Sequence, residues 1–155
     1  MENITFTMPI ITTFYASLLA LLIFPMVILI IKRRLSSKIG LGMGRHDGLR
    51  DEQQLLKAVR IHGNYIEFVP IMLLLFALIE MIGADPYLMH GLGILLLAAR
   101  ISHGLGLYDS AMRTAKRTFG VLATLLCLAI TIGTGLYLSA PYAIDQITTM
   151  VQSSL

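Results

Sequence analysis

The stretch Val59-Arg60-Ile61-His62-Gly63-Asn64-Tyr65-Ile66-Glu67-Phe68-Val69-Pro70 leads straight into the apolar block Ile71-Met72-Leu73-Leu74-Leu75-Phe76-Ala77-Leu78-Ile79. Read as one helix at about 100° per residue, it places Arg60, Asn64 and Glu67 within an arc of roughly 60°. The rest of that helix is built for hydrocarbon. A charged group at the centre of a membrane helix costs about 2.5–3.5 kcal/mol on insertion scales, so such groups face protein or water. Three polar side chains on one stripe therefore predict a lined cavity.

The whole chain agrees with a membrane setting. Of its 155 residues 56% are hydrophobic and 14% charged, whereas a soluble domain carries about 25% charged residues. Mean hydropathy is +0.78. The length suits one domain, 1–155, of about four helices. Residues 8–31 contain no charge. That run is too long for a signal-peptide core and lacks a basic leader and an Ala-x-Ala site, so it reads as a retained anchor. The single cysteine, Cys127, lies in the last apolar run and reads as a small hydrophobe. One cysteine excludes the four-helix membrane enzymes that form disulfides, because they need cysteine pairs.

Four spans are predicted, over about 9–31 with a kink at Pro25, 51–82 with Asp51 as cap, 87–108 and 118–137. Gly83-Ala84-Asp85-Pro86 is a short turn, and residues 139–155 form a tail expected to be a short interfacial helix. Every Lys and Arg falls in or beside two connections. Lys32, Arg33, Arg34, Lys38, Arg45, Arg50, Lys57 and Arg60 belong to the first. Arg100, Arg113, Lys116 and Arg117 surround the connection between the third and fourth helices. By the positive-inside rule both basic connections are cytoplasmic and both termini lie on the other side, the periplasm in a bacterium. The glycines from Gly40 to Gly44 lack the spacing and the Lys-Ser/Thr of a phosphate loop.

On the third helix Arg100 and His103 are three residues apart and near one face. If the second and third helices are antiparallel neighbours, Arg60, Asn64, Glu67, Arg100 and His103 share a depth, and Arg117 enters from the same side. Arginine forks bind carboxylates bidentately, a glutamate receives an ammonium, and an asparagine serves peptide-like groups. With a lipid-like wall around it, such a pocket suits a soluble anionic thiol used on an apolar substrate.

These motifs resemble the MAPEG family, the membrane-associated proteins of eicosanoid and glutathione metabolism. The shared pattern is Arg-x-x-x-Asn-x-x-Glu-x-x-Pro, here Arg60, Asn64, Glu67 and Pro70. Arg100-Ile101-Ser102-His103 looks like the Arg-x-x-His of the prostaglandin E synthase branch, and the wording around Gly63 is similar to that of the small bacterial inner-membrane members. The resemblance covers about 9–139. It implies an all-α integral membrane protein, a left-handed four-helix bundle assembled as a homotrimer, with glutathione bound between subunits near the cytoplasmic face. By carry-over Arg60, Asn64, Glu67, Arg100, His103 and Arg34 hold glutathione. Arg117 stabilises its thiolate, with Thr118 as a neighbouring hydroxyl donor. The sequence departs from the family pattern at Gly63, Phe68 and Leu107, where relatives carry an arginine or a tyrosine, and this weakens eicosanoid chemistry.

The expectation is thus a glutathione transferase or peroxidase acting on lipophilic electrophiles in a bacterial inner membrane, with no metal and no nucleic acid. The competing reading is a non-enzymatic membrane protein that keeps the fold for assembly, or for binding lipid or another anionic metabolite. Bland roles stand beside each residue. Polar side chains bridge membrane helices, Arg100 pairs with Glu67 in a structural ion bridge, Arg34 anchors topology, and Glu80 is interfacial. A haem between His62 and His103 lacks small residues to make room for it. A small exporter built on a membrane glutamate does not suit an arginine on the same stripe.

Overall fold

Four runs long and apolar enough to cross a bilayer become four helices: α1 (Ile10–Ser37), α2 (Arg50–Met81), α3 (Pro86–Asp109) and α4 (Ala115–Ser153). The computed structural model describes residues 7–40, 50–110 and 112–154, and among these there is no strand. The Asp51 side chain expected to cap α2 and the stretch 41–49, with Arg45 and most of the glycine-rich run, lie outside the described residues.

The helix ends follow local chemistry. Asp85 caps α3 by accepting from the Leu88 amide at 3.0 Å, with Pro86 in the first turn, where a missing N–H costs nothing. Thr114 caps α4 through the Arg117 amide at 3.2 Å. At its other end α1 runs past the expected Ile31 to Ser37, because Lys32, Arg33 and Arg34 are good helix formers and Arg34 sits in the last turn, where a cation offsets the helix dipole. Lys38 closes α1 in the left-handed region, at φ 55°. The expected separate tail helix is absent. Instead α4 continues unbroken through Pro141, which removes the hydrogen bond to the Tyr137 carbonyl one turn back and sets its ring against that carbonyl.

Packing sets the helix order. The most extensive contacts are α3 with α4 and α1 with α2, while α1 and α4 do not touch among the described residues. The central helices α2 and α3 thus carry α1 and α4 on separate flanks. Leu19 of α1, Met72 and Phe76 of α2, Met89 and Leu96 of α3 and Cys127 of α4 form the core. Three glycines allow close approach, among them Gly106, where a Cβ would lie 2.5 Å from the Arg117 amide nitrogen. A Cβ on Gly120 would lie 2.6 Å from His103 Cβ and 2.7 Å from the Ala99 carbonyl, and one on Gly93 would enter the Tyr15 ring. Small residues of this kind let membrane helices pack backbone to backbone.

Polar ties add direction. The Tyr65 hydroxyl donates to the Leu19 carbonyl at 2.6 Å. Glu80, read as interfacial, lies in the last turn of α2 and is 7% exposed. Its carboxylate accepts from the Ile11 and Thr12 amides, both at 2.8 Å. It supplies α1 with an N-terminal cap from another helix, where Pro9 offers none, and its charge complements the positive end of the dipole.

Candidate functional site

The polar stripe of α2 does line a cavity. Arg60 and Glu67 are exposed and Asn64 is half-buried. Together with Gly63, Leu107 of α3 and Arg117 of α4 they bound a cleft of about 560 Å³, within the size class of small-molecule sites. Leu56 and Val59 give it an apolar wall, and Lys57 adds a third cation. Sequence reasoning placed Lys57 only among the loop cations. Its position one turn before Arg60 was the available signal. Among the described residues neither Arg60 nor Glu67 has a hydrogen-bond or ion-pair partner.

Arg100 is placed differently. It is 3% exposed and does not line this cleft. Its guanidinium donates to Asn64 Oδ1 at 3.1 Å, to the Gly120 carbonyl at 3.5 Å and to the Thr124 hydroxyl. It also stands 5.7 Å from the centre of the Phe68 ring, a favourable cation–π position. The Nε atom has no partner among the described residues. The ion bridge considered between Arg100 and Glu67 does not form, because the Arg100 side chain reaches across Asn64 toward α4 while Glu67 stays exposed. Thr124 and Gly120 were not singled out in the sequence, where nothing links them to a helix some 20 positions earlier. Asn64 thereby becomes the joint of the site. Its carbonyl is taken by Arg100, which leaves its two N–H donors for the cleft.

His103 is also buried, at 6% exposure. It faces a seam lined by Met26, Ile61, Asn64, Tyr65 and Arg100 that has no room for water. The reason is the α3–α4 contact, since His103 lies directly against Gly120. Arg34 is not among the residues lining the cleft, and its guanidinium donates to the carbonyls of Ile39 at 3.4 Å and Gly40 at 3.1 Å, wrapping the end of α1. The six residues expected to hold one ligand are thus divided. Arg60, Asn64 and Glu67 meet at the cleft, Arg100 and His103 form the packed wall behind it, and Arg34 secures a helix end.

Of the two residues expected to act on the thiol, Arg117 lines the cleft and Thr118 does not. Thr118 Oγ1 accepts from Arg113 Nε at 3.2 Å. Both belong to a second recess of about 350 Å³, with Val121, Leu122 and again Arg117 in its lining. Arg117 is therefore the wall common to the cleft and to a recess that Val121 and Leu122 also line. Among the described residues no group of three His, Cys, Asp or Glu side chains could hold a metal ion.

Comparison with known proteins covers most of the chain. A family model described as "MAPEG family" matches residues 12–137. The chain is 32% identical over 120 residues to "Inner membrane protein YecN" of Escherichia coli strain K12, a match spanning 77% of this chain and 86% of that protein. The protein of the same description from E. coli O6:H1 strain CFT073 matches with the same identity and coverage.

Proposed function

The chain belongs to the MAPEG family, and on that premise we propose that it is a glutathione-binding membrane protein, a transferase or peroxidase acting on lipophilic electrophiles. The observation that carries the reading is the cleft where Arg60, Asn64, Glu67 and Arg117 meet from two helices. The donor set fits the tripeptide. Arg60 presents a fork to a carboxylate, Glu67 accepts an ammonium, and the N–H groups of Asn64 donate to a peptide carbonyl. Arg60 and Glu67 have no described partner to give up on binding. Arg100 positions Asn64 and does not itself bind.

Glutathione supplies a thiol whose ionised form attacks the acceptor. Arg117 favours that ionised form by its charge. Because Arg117 also lines the second recess, the activated sulfur and the acceptor share one residue as their boundary. Val121 and Leu122 line the recess on the outer face of a membrane helix, which lets an apolar acceptor enter from the bilayer. In this reading the protein is a homotrimer, and it lies in the inner membrane like its relative from Escherichia coli. The cleft lies at the cytoplasmic end and both termini on the opposite side, in keeping with the basic residues around the cleft.

A thermal-shift titration of the detergent-purified protein tests binding. Glutathione raises the unfolding midpoint of the wild type and of Arg117→Ala, while glutamate does not, and only the wild type conjugates an apolar electrophile. Undiminished turnover by Arg117→Ala refutes its role. Lys57, Arg60 and Arg117 around apolar walls also favour a second reading, a non-enzymatic holder of lipid or another anionic metabolite. Stabilisation by anionic lipid with no response to glutathione would select it.

A further inference from the structure

Beyond Leu138, the last α4 residue packed against the core, every described residue of the chain is exposed. The family match also stops there, at residue 137. With 39 residues, α4 is about 58 Å long, against a hydrocarbon thickness of about 30 Å. With Lys116 and Arg117 at one interface, the segment 138–153 stands about 24 Å clear of the hydrocarbon on the other side.

This projecting segment is amphipathic. Ala140, Ala143, Ile144, Ile147, Met150 and Val151 share one side, with Ile144, Ile147 and Met150 each 62–68% exposed. Asp145, Thr148, Thr149 and Gln152 occupy the other. At about 100° per residue, the centre of the apolar stripe lies roughly 180° from the α4 face that Gly120, Ala123, Thr124, Cys127 and Thr131 bury. The stripe points away from its own bundle, so its own helices cannot cover it. A contiguous apolar face in water marks an interaction site.

We infer that this stripe docks on a second copy of the chain, forming a helical clamp between protomers outside the membrane. Charge selects the occupant. Helices that lie on a membrane surface hold it through Lys and Arg, and residues 139–154 contain neither. Their one charged side chain, Asp145, sits opposite the stripe, so two copies meet without opposing like charges. Height selects it too, because copies crossing the membrane in the same sense present their stripes at one level. Spacing agrees. Leu136, Ala140, Ala143, Ile147 and Met150 alternate steps of four and three, the pattern by which one helix seams onto another. The inference needs no ligand and stands apart from the glutathione reading.

Photo-crosslinking in native membranes tests it, using the full chain with a benzophenone side chain placed at Ile147 or, on the opposite face, at Thr149. Irradiation of the Ile147 variant gives a product of twice the 17.1 kDa chain mass, and the Thr149 variant loses it. Equal yields from the two faces, adducts with lipid alone, or adducts with a different protein would each overturn the inference. A charge in the seam gives a second reading. Ala143→Glu, combined with the probe at Ile147, loses the doubled product while helix content by circular dichroism is retained. Persistence of that product refutes the seam.

Discussion

Two arginines on neighbouring helices show how environment assigns a role. Arg60 is exposed and unpartnered among the described residues, whereas Arg100 is buried and bonded to Asn64, Gly120 and Thr124. Arg100→Ala strands Asn64 and Thr124 and is expected to cost about 1.5–3 kcal/mol, the range for hydrogen bonds to a charged group. Thermal unfolding in detergent reads that loss. Arg60→Ala is expected to leave the unfolding midpoint in place, as exposed substitutions do, and to weaken glutathione binding about tenfold, or about 1.4 kcal/mol. Equal destabilisation by both changes would make Arg60 a structural residue. The sequence placed Arg60, Asn64 and Glu67 on one stripe because helical period is local. It put Arg100 and His103 in the same cluster because depth along antiparallel helices is legible, while the rotation of α3 about its axis is not.

At the scale of elements, α1 and α4 each depend on chemistry from elsewhere. The amide groups at the start of α1 are capped by Glu80, 68 positions away along the chain for Thr12. Such a partner leaves no trace in local pattern, and so Glu80 read as an interfacial carboxylate. Glu80→Gln removes the charge and one acceptor oxygen and is expected to cost about 1–2 kcal/mol. Hydrogen exchange at the Ile11 and Thr12 amides would accelerate. Unchanged exchange there would deny Glu80 the capping role. The α3–α4 seam relies on Gly120, where an added Cβ meets His103 and the Ala99 carbonyl. Gly120→Val must push the helices apart, at about 1–3 kcal/mol for overpacking, and shifts Arg117 with them. Loss of glutathione binding in that variant, with Gly133→Val unaffected, is the expected contrast, since Gly133 has open space around it. The length of α4 was misjudged in the sequence because Pro141 reads as a stop, yet the helix absorbs the lost bond and the ring's contact with the preceding turn at this exposed position.

For the whole molecule, the arrangement leaves both flanking helices largely uncovered. Only 11% of the apolar window of α1 and 22% of that of α4 is buried within the chain, so most of their apolar surface is left to be covered from outside it. A reporter active only outside the cytosol is expected to work when fused after Ser154 and to be silent when inserted at Met112, between α3 and α4. The reverse pattern would invert the placement of the cleft. Sequence alone determined that there are four apolar helices, that the second carries a polar stripe, and that the cations gather at one end. Hydropathy and helical period act between near neighbours, so those features are written along the chain. Tertiary structure alone decided which polar groups open onto the cleft and which are sealed behind it. That outcome turns on how closely α3 meets α4 at Gly120 and on which way each helix is rotated, and both are settled by contacts between residues far apart in the chain.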